Sequence, residues 1–387
     1  MNYDALLVLS FGGPEGPDDV IPFLQNVTAG RNIPVERLAE VAEHYQHFGG
    51  VSPINAQNRA LIEALKASNF PLPIYFGNRN WHPFVTDTVA QMKADGIKNA
   101  LVFVTSAFSS YSGCRQYRED IAKAREAVGE GAPKFGKIRV FCNHPLFIET
   151  MAERVKDALA QLPDGSRVVF TAHSIPIGMA RGCDYEAQLK EAATLIAQAC
   201  GLLESQFDIA YQSRSGPPQV PWLEPDILDY LRNLSPSNLS PSPSPGRSYL
   251  TGKGEQEGDS LPSLPPPRGY PGTTARTQRV PGEGLGVGEV GLAVVPLGFV
   301  SDHMEVLYDL DYEAKHLAEE LGIAFIRAGT AGTHPKLIQM IHDLVAERNT
   351  NSLTRLTVGT RGPNPDVCLQ NCCLRGEGRP AMAGNTR

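Results

Sequence analysis

Residues 167–176 read RVVFTAHSIP, an apolar run that ends in a histidine and then a proline. The run Val168–Thr171 predicts a buried β-strand, and Pro176 stops regular strand pairing. His173 therefore stands at the carboxyl end of a strand, where its side chain points into a cleft. Its imidazole either binds a metal or moves protons near neutral pH, or it is a hydrogen-bonded structural side chain.

Similar short β-rich runs occur on both sides of this stretch, with helical periodicity between most of them. Such alternation predicts an α/β fold, in which helices cover parallel sheets on both faces and ligands gather at the carboxyl ends of the strands. The further predicted strands are Ala5–Phe11, Ile74–Gly77, Ala100–Thr105, Arg139–Cys142, Phe207–Gln212 and Leu292–Leu297.

The chain has 387 residues, which is more than one average domain. We predict two similar Rossmann-like lobes, each a parallel sheet flanked by helices, with the active-site cleft between them. A break near residue 150 gives lobes 1–150 and 151–345, and the second lobe begins with a helix at Glu149–Leu162. Residues 346–387 then form a flexible tail.

Residues 235–289 break the alternation with stretches such as SPSNLSPSPSPGRS and SLPPPRGYPGTT. A segment so rich in Pro, Ser and Gly cannot bury enough apolar surface to offset its ordering entropy, and we expect a disordered loop. It follows a predicted helix at Ile227–Leu234. It is either a lineage-specific insertion or translated non-coding sequence, and the slow growth of loop-closure entropy lets the surrounding fold tolerate it.

The composition, 42% hydrophobic and 20% charged, is that of a globular protein. A net charge of -7 without a Lys/Arg cluster argues against nucleic acid as a partner, because that role needs a basic patch.

The N-terminus, MNYDALLVLSFGG, lacks the basic region of a signal peptide. No stretch approaches the roughly 20 apolar residues of a spanning helix. We therefore expect a cytoplasmic protein without a transmembrane segment.

An acidic block, SDHMEVLYDLD, occupies residues 301–311 after the last predicted strand. If Asp302 caps a helix, helical spacing places Asp302, Glu305, Asp309 and Glu313 on one face. This stripe is either a solvated helix face near the N-terminal dipole or a ladder of hard oxygen ligands that passes a divalent cation inward.

The seven cysteines fall into two groups. Four are scattered, which suits a reducing compartment better than a disulfide framework. The other three, Cys368, Cys372 and Cys373, lie within six positions of the tail. They indicate a soft-metal or iron–sulfur site that lacks one ligand, with zinc less favoured because no His accompanies them. The alternative is a loose, exposed tail.

Seven segments resemble successive blocks of the ferrochelatase family, in family order. Together they cover nearly all of residues 3–345 outside the insertion. Their amino-acid sequences are most similar to those of the actinobacterial branch, whose members insert Fe(II) into coproporphyrin III. The segments are LLVLSFGGPEGPDDVIPFL, HYQHFGGVSPIN, YFGNRNWHPF, SAFSSYSGCRQYREDI, FTAHSIP, YQSRSGPPQVPWLEPDI and VPLGFVSDHMEVLYDLD.

This resemblance implies a lyase of heme biosynthesis that takes coproporphyrin III and ferrous iron as substrates and releases two protons. His173 matches the metal-binding, proton-abstracting histidine of the family, and Glu305 matches the carboxylate opposite it. Asp309 continues the metal ligands along the acidic block. Because two pyrrole N–H protons must leave, a neutral His and an ionised carboxylate are the required species.

The resemblance also implies how the porphyrin is held. Ser52 and Tyr117 match positions that contact its carboxylates, and Arg31 and Tyr45 are further candidates because their donors suit carboxylate ends. Phe11 stands where some relatives have a Tyr near the metal. A phenyl ring cannot ligate iron, so we expect Phe11 to pack on the macrocycle.

Many ferrochelatases carry a [2Fe–2S] cluster on three tail cysteines and one cysteine from the body. The resemblance therefore implies such a cluster on Cys368, Cys372 and Cys373, with Cys114 as the preferred body ligand and Cys183 as the second choice. Two other functions stay open: a chelatase for another metal or tetrapyrrole, such as cobalt or protoporphyrin, and a non-catalytic tetrapyrrole binder if residues 235–289 prevent the lobes from closing.

Overall fold

The computed structural model describes residues 2–30, 33–216, 219–234 and 291–375. Its strands form two four-stranded parallel sheets with the orders β2-β1-β3-β4 and β6-β5-β7-β8. The strands are β1 Ala5–Ser10, β2 Ile74–Asn78, β3 Asn99–Val104, β4 Lys134–Lys137, β5 Arg167–His173, β6 Phe207–Gln212, β7 Gly291–Val295 and β8 Ala324–Arg327.

The inner strands of both sheets are buried on both faces. β1 reads ALLVLS and β7 reads GLAVV, and every residue of both strands is buried. In the first sheet, Leu7 of β1 lies between Tyr75 of β2 and Val102 of β3. A parallel strand with two apolar faces needs helices above and below it, as an α/β fold provides. The predicted α/β class is confirmed.

One predicted strand is wrong. Residues Arg139–Cys142 form no strand, and β4 lies earlier in the chain. The N–H of Ile138 still bonds to the carbonyl of Val102 at 3.0 Å, but Arg139 then enters the interior and pairs with Glu347. That ion pair removes the segment from the sheet edge. β8 has no counterpart among the predicted strands, because its four residues are only half-buried.

Helices connect the strands. The helix predicted from Glu149 begins earlier, at Pro145, because Nδ1 of His144 accepts the N–H of Leu146 and caps it. The helices are α1 Val20–Thr28, α2 Val35–His47, α3 Ile54–Ala67, α4 Val85–Ala94, α5 Gln116–Val128, α6 Pro145–Leu159, α7 Ile177–Ala180, α8 Tyr185–Ala199, α9 Ile227–Leu234, α10 Met304–Val306, α11 Lys315–Glu320 and α12 Pro335–Asn349. Two π-helices, Tyr111–Arg115 and Leu307–Ala314, precede α5 and α11.

A single apolar core contacts both sheets, since Phe103 of β3 and Phe170 of β5 belong to the same buried cluster. Helix α6 runs across residue 150, and the division of the chain into lobes at that residue stays a prediction. The segment 235–289 and Arg31 lie outside the described residues. In the part of the chain that the structure describes, no helix is long and apolar enough to cross a membrane.

Candidate active site

His173 ends β5, and its side chain is half-buried. Its Nδ1 lies 3.3 Å from the carbonyl oxygen of Gln212, the last residue of β6. A carbonyl only accepts hydrogen bonds, so in the neutral ring Nδ1 carries the proton and Nε2 keeps a free lone pair. The hydroxyl of Tyr185 donates to the carbonyl of His173 at 3.0 Å and fixes the end of the strand.

Gln212 also reaches the acidic block. Its Nε2 donates to the carbonyl of Glu305 at 2.7 Å and lies 3.4 Å from Oδ2 of Asp309. The next residue, Ser213, donates its hydroxyl to the same oxygen of Asp309. The ends of β5 and β6 therefore bring His173, Glu305 and Asp309 into one neighbourhood, as the strand-end argument predicted for His173.

The acidic block is helical, but Asp302 is not its cap. Nδ1 of His303 accepts the N–H of Glu305 at 3.2 Å and begins α10, which continues as the π-helix Leu307–Ala314. Asp302 instead binds Arg327, with Nη1 3.2 Å from Oδ1, and it also binds Gln57. The expectation that Asp302 caps the helix is therefore wrong, because these partners already occupy its carboxylate.

The carboxylates of the block lie close enough to perturb each other. Burial raises the pKa of Asp309 to about 8, against the hydrogen bond from Ser213, and Glu305 and Glu313 add to the increase. Burial, followed by the charges of Glu305 and Asp309, raises the pKa of the Tyr45 phenol. A carboxyl group whose pKa is raised in this way, such as that of Asp309, holds a proton that a divalent cation would displace.

His303 interacts electrostatically with both predicted catalytic residues. Burial lowers the pKa of its imidazole, Glu305 acts in the opposite direction, and a charge on His173 lowers the pKa further. Both predicted catalytic groups therefore act electrostatically on one buried ring. A buried imidazole with a lowered pKa stays neutral near pH 7, which suits its observed role as a hydrogen-bond acceptor.

The described residues among the predicted porphyrin contacts lie in the helices and loops that connect the strands of the first sheet. Ser52 is buried, and its N–H bonds to the carbonyl of Pro14 at 2.8 Å. Phe11 packs edge-on against Phe23, with ring centroids 6.2 Å apart. Tyr117 is buried, and the guanidinium of Arg79 lies 4.8 Å from its ring. The contacts of Ser52, Tyr117, Phe11, Tyr45 and Arg31 with a porphyrin stay predictions.

Three cysteines of the tail, Cys368, Cys372 and Cys373, lie against the body of the protein, near Cys114. Interaction with the thiols of Cys368 and Cys373 lowers the pKa of Cys114, and the same interaction raises the pKa of each of the two partners. Sγ of Cys372 lies 3.3 Å from Sγ of Cys373. These four thiols and Cys183 line a cavity of about 370 Å³. Among residues 2–375, as far as they are described, no His, Cys, Asp or Glu group is arranged to hold a single metal ion.

Three polar residues of the site escaped the sequence analysis. Gln212 ends β6 in the way that His173 ends β5, and Ser213 follows it directly, so this strand-end position could have identified both residues. His303 lies two residues before Glu305, inside the acidic block. A neutral His adds no charge to the acidic stripe, so the pattern of carboxylates does not indicate His303.

A family model and the most similar relatives that we describe match this chain over most of its length, and all of them are ferrochelatases. A family model described as Ferrochelatase matches residues 3–241 and 271–349. A ferrochelatase of Rhodopirellula baltica is 49% identical, over 99% of this chain and 96% of its own length. Proteins named coproporphyrin III ferrochelatase from Frankia alni and Nocardia farcinica are 46% and 45% identical, over 96% and 99% of this chain and 86% and 100% of their own. The solved structure of SirB from Bacillus subtilis with Fe3+ aligns with 92% of this chain and 99% of its own at 12% identity and a TM-score of 0.49.

Proposed function

The chain belongs to the ferrochelatase family, and we propose that it inserts Fe(II) into coproporphyrin III as a lyase of heme biosynthesis. The observation that carries this proposal is the arrangement around Gln212, which contacts His173 through its carbonyl and Glu305 and Asp309 through its amide. A proton acceptor and a pair of carboxylates thereby share one neighbourhood, as metal insertion requires. The relatives named for coproporphyrin III support this porphyrin as the substrate.

The chemistry needs two proton acceptors and a route for a cation. As Fe(II) bonds to the four porphyrin nitrogens, two pyrrole N–H bonds break and two protons leave. His173 takes the first proton on Nε2, because its Nδ1 faces the Gln212 carbonyl. Glu305 accepts the second proton, and Asp309 passes the incoming cation toward it. Carboxylate oxygens and a neutral imidazole are ligands that suit ferrous iron on this path.

We assign the porphyrin contacts by the same reasoning. Ser52, Tyr117, Arg31 and Tyr45 would hold the carboxylates of coproporphyrin III, and Phe11 would pack against the macrocycle. His173 and Glu305 act as catalytic residues, and together with Asp309 they are the ligands of the substrate iron. We place the reaction in the cytoplasm, in a chain divided near residue 150.

We also propose that the tail binds a [2Fe–2S] cluster. Cys114, Cys368, Cys372 and Cys373 would supply the four thiolates that such a cluster needs, and the interaction of the Cys114 thiol with Cys368 and Cys373 favours it over Cys183 as the body ligand. The cavity they line has room for more than one atom. When bound, the cluster would supply a one-electron redox centre. The chain itself links tail to body: Arg115 donates to the carbonyls of Gln370 and Cys372 at 2.8 and 3.2 Å.

An anaerobic insertion assay tests the proposed reaction. The chain is supplied with Fe(II) or Co(II) and with coproporphyrin III, protoporphyrin or sirohydrochlorin, and the product is followed by its absorption spectrum. We expect turnover with Fe(II) and coproporphyrin III. Faster insertion of Co(II) into sirohydrochlorin would point to a chelatase for another tetrapyrrole, and stoichiometric porphyrin binding without turnover would point to a non-catalytic binder.

A further inference from the structure

Glu305 follows a loop that is bound by helix α3, from the first half of the chain. Gln57 of α3 makes two hydrogen bonds to Asp302: its Oε1 accepts the Asp302 N–H at 2.7 Å, and its Nε2 donates to Oδ2 at 3.1 Å. The neighbouring Asn58 accepts a hydrogen bond from the hydroxyl of Ser301 at 3.2 Å. Two consecutive residues of the helix therefore hold two consecutive residues of the loop.

The amide of Gln57 fits this site in only one orientation. Its oxygen faces a backbone N–H and its nitrogen faces a carboxylate, so turning the amide over would set donor against donor and acceptor against acceptor. The site is half-buried, where an unmatched polar pair costs more than it does in water. Gln57 therefore fixes both the position and the direction of the loop at Asp302.

Arg327, which ends β8, binds the same loop. Its Nη1 contacts Oδ1 of Asp302 at 3.2 Å, and its Nε and Nη2 bind Asp311 at 2.6 and 2.9 Å. Asp302 is thus held between an amide from the first half of the chain and a guanidinium from the second. Only His303 and Met304 separate it from Glu305, so a shift at Asp302 moves the carboxylate that we assign as the second proton acceptor.

We infer that Gln57 is a positioning residue for metal insertion, which acts through Asp302 to set the place of Glu305. This inference rests on the proposed ferrochelatase reaction. Gln57 touches neither the reacting atoms nor, in our assignment, the porphyrin. Its loss should therefore lower kcat and leave porphyrin binding intact, because a small misplacement of a catalytic group slows a reaction strongly without weakening substrate contacts elsewhere.

The test variant is Gln57→Glu, which keeps the acceptor for the Asp302 N–H and replaces the donor by a second carboxylate. We expect kcat for Fe(II) insertion to fall about tenfold to a hundredfold. The KM for coproporphyrin III and its Kd, measured by fluorescence quenching, should change less than about twofold. Gln91→Glu is the matched control, since Gln91 donates to Asp95 at 2.8 Å on the exposed face of α4, and we expect wild-type kinetics from it.

A second variant separates positioning from folding. Adding Asp302→Asn to Gln57→Glu restores a donor opposite the new carboxylate, and we expect kcat to recover by several fold. Wild-type kcat in Gln57→Glu would overturn the inference. A parallel loss of kcat, binding and Tm without recovery in the double variant would also overturn it. If the wild-type chain inserts no metal, the proposed function itself is wrong, a result distinct from both.

Discussion

Gln212 donates a 2.7 Å hydrogen bond from its Nε2 to the carbonyl oxygen of Glu305. The carbonyl of the same glutamine faces Nδ1 of His173 at 3.3 Å, so one residue at the end of β6 contacts both sides of the site. Its side chain is fully buried, and its Oε1 has no hydrogen-bond partner among the described residues. An unpaired buried oxygen costs stability, which is commonly tolerated where it serves a site.

Asp309 should make the stability of the protein fall as pH rises. Its pKa is about 8 in the folded chain, well above the ordinary value of 3.8, because burial disfavours the charged form. The folded state then holds more protons than the unfolded state between about pH 4 and 8, and this contribution to the free energy of unfolding decreases across that window. Asp309→Asn should flatten the decrease in metal-free protein, as measured by urea unfolding at several pH values. An unchanged slope would contradict the assigned pKa.

The Arg139–Glu347 pair should be essential to the fold. Arg139 is 2% exposed, and its Nε and Nη2 bind the Glu347 carboxylate at 3.0 and 2.9 Å. Arg139→Leu removes this two-bond partner and leaves buried Glu347 with Arg355 and the Leu356 N–H, each at 3.3 Å, so we expect a loss of about 3 kcal/mol in the free energy of unfolding. Arg37→Leu is the control. It breaks an exposed pair with Glu40 and should cost less than about 1 kcal/mol. Similar losses in both variants would contradict this view of the buried pair.

The tail cysteines should bind iron through Cys114. Protein purified anaerobically should absorb in the visible range and contain about two iron atoms per chain, as a [2Fe–2S] cluster implies. Cys114→Ser should remove both signals. Cys200→Ser should remove neither, because the Cys200 thiol contacts the carbonyl of Ala152, away from the tail. Iron retained in Cys114→Ser and lost in Cys183→Ser would transfer the fourth ligand to Cys183.

The sequence predicted the sheets better than the site that they support. Buried parallel strands such as β1 and β5 stand out because each contains an uninterrupted apolar run, and the strand-end position of His173 followed directly from that pattern. The contacts that organise the site join residues far apart in sequence, such as Gln57 with Asp302 and Gln212 with Glu305. Neither glutamine has a local pattern that reveals its partner.

In the acidic block, too, the local sequence pattern did not identify the partners of the charged side chains. Helical spacing aligned Asp302 with Glu305 and Asp309. Spacing could not reveal that the carboxylate of Asp302 forms an ion pair with Arg327. The displaced strand at Arg139 has the same cause, since its partner Glu347 lies in the last helix. Charged side chains with distant partners override local propensity, and only the folded structure identifies those partners.

Anaerobic Fe(II) insertion by His173→Ala tests the proposed reaction most directly. The wild-type chain should convert coproporphyrin III to its iron complex, and the variant should lose at least about a hundredfold in kcat, the minimum expected when a general base is removed. Fluorescence quenching should show that His173→Ala still binds the porphyrin. Insertion by the variant at the wild-type rate would contradict the assignment of His173 as the proton acceptor.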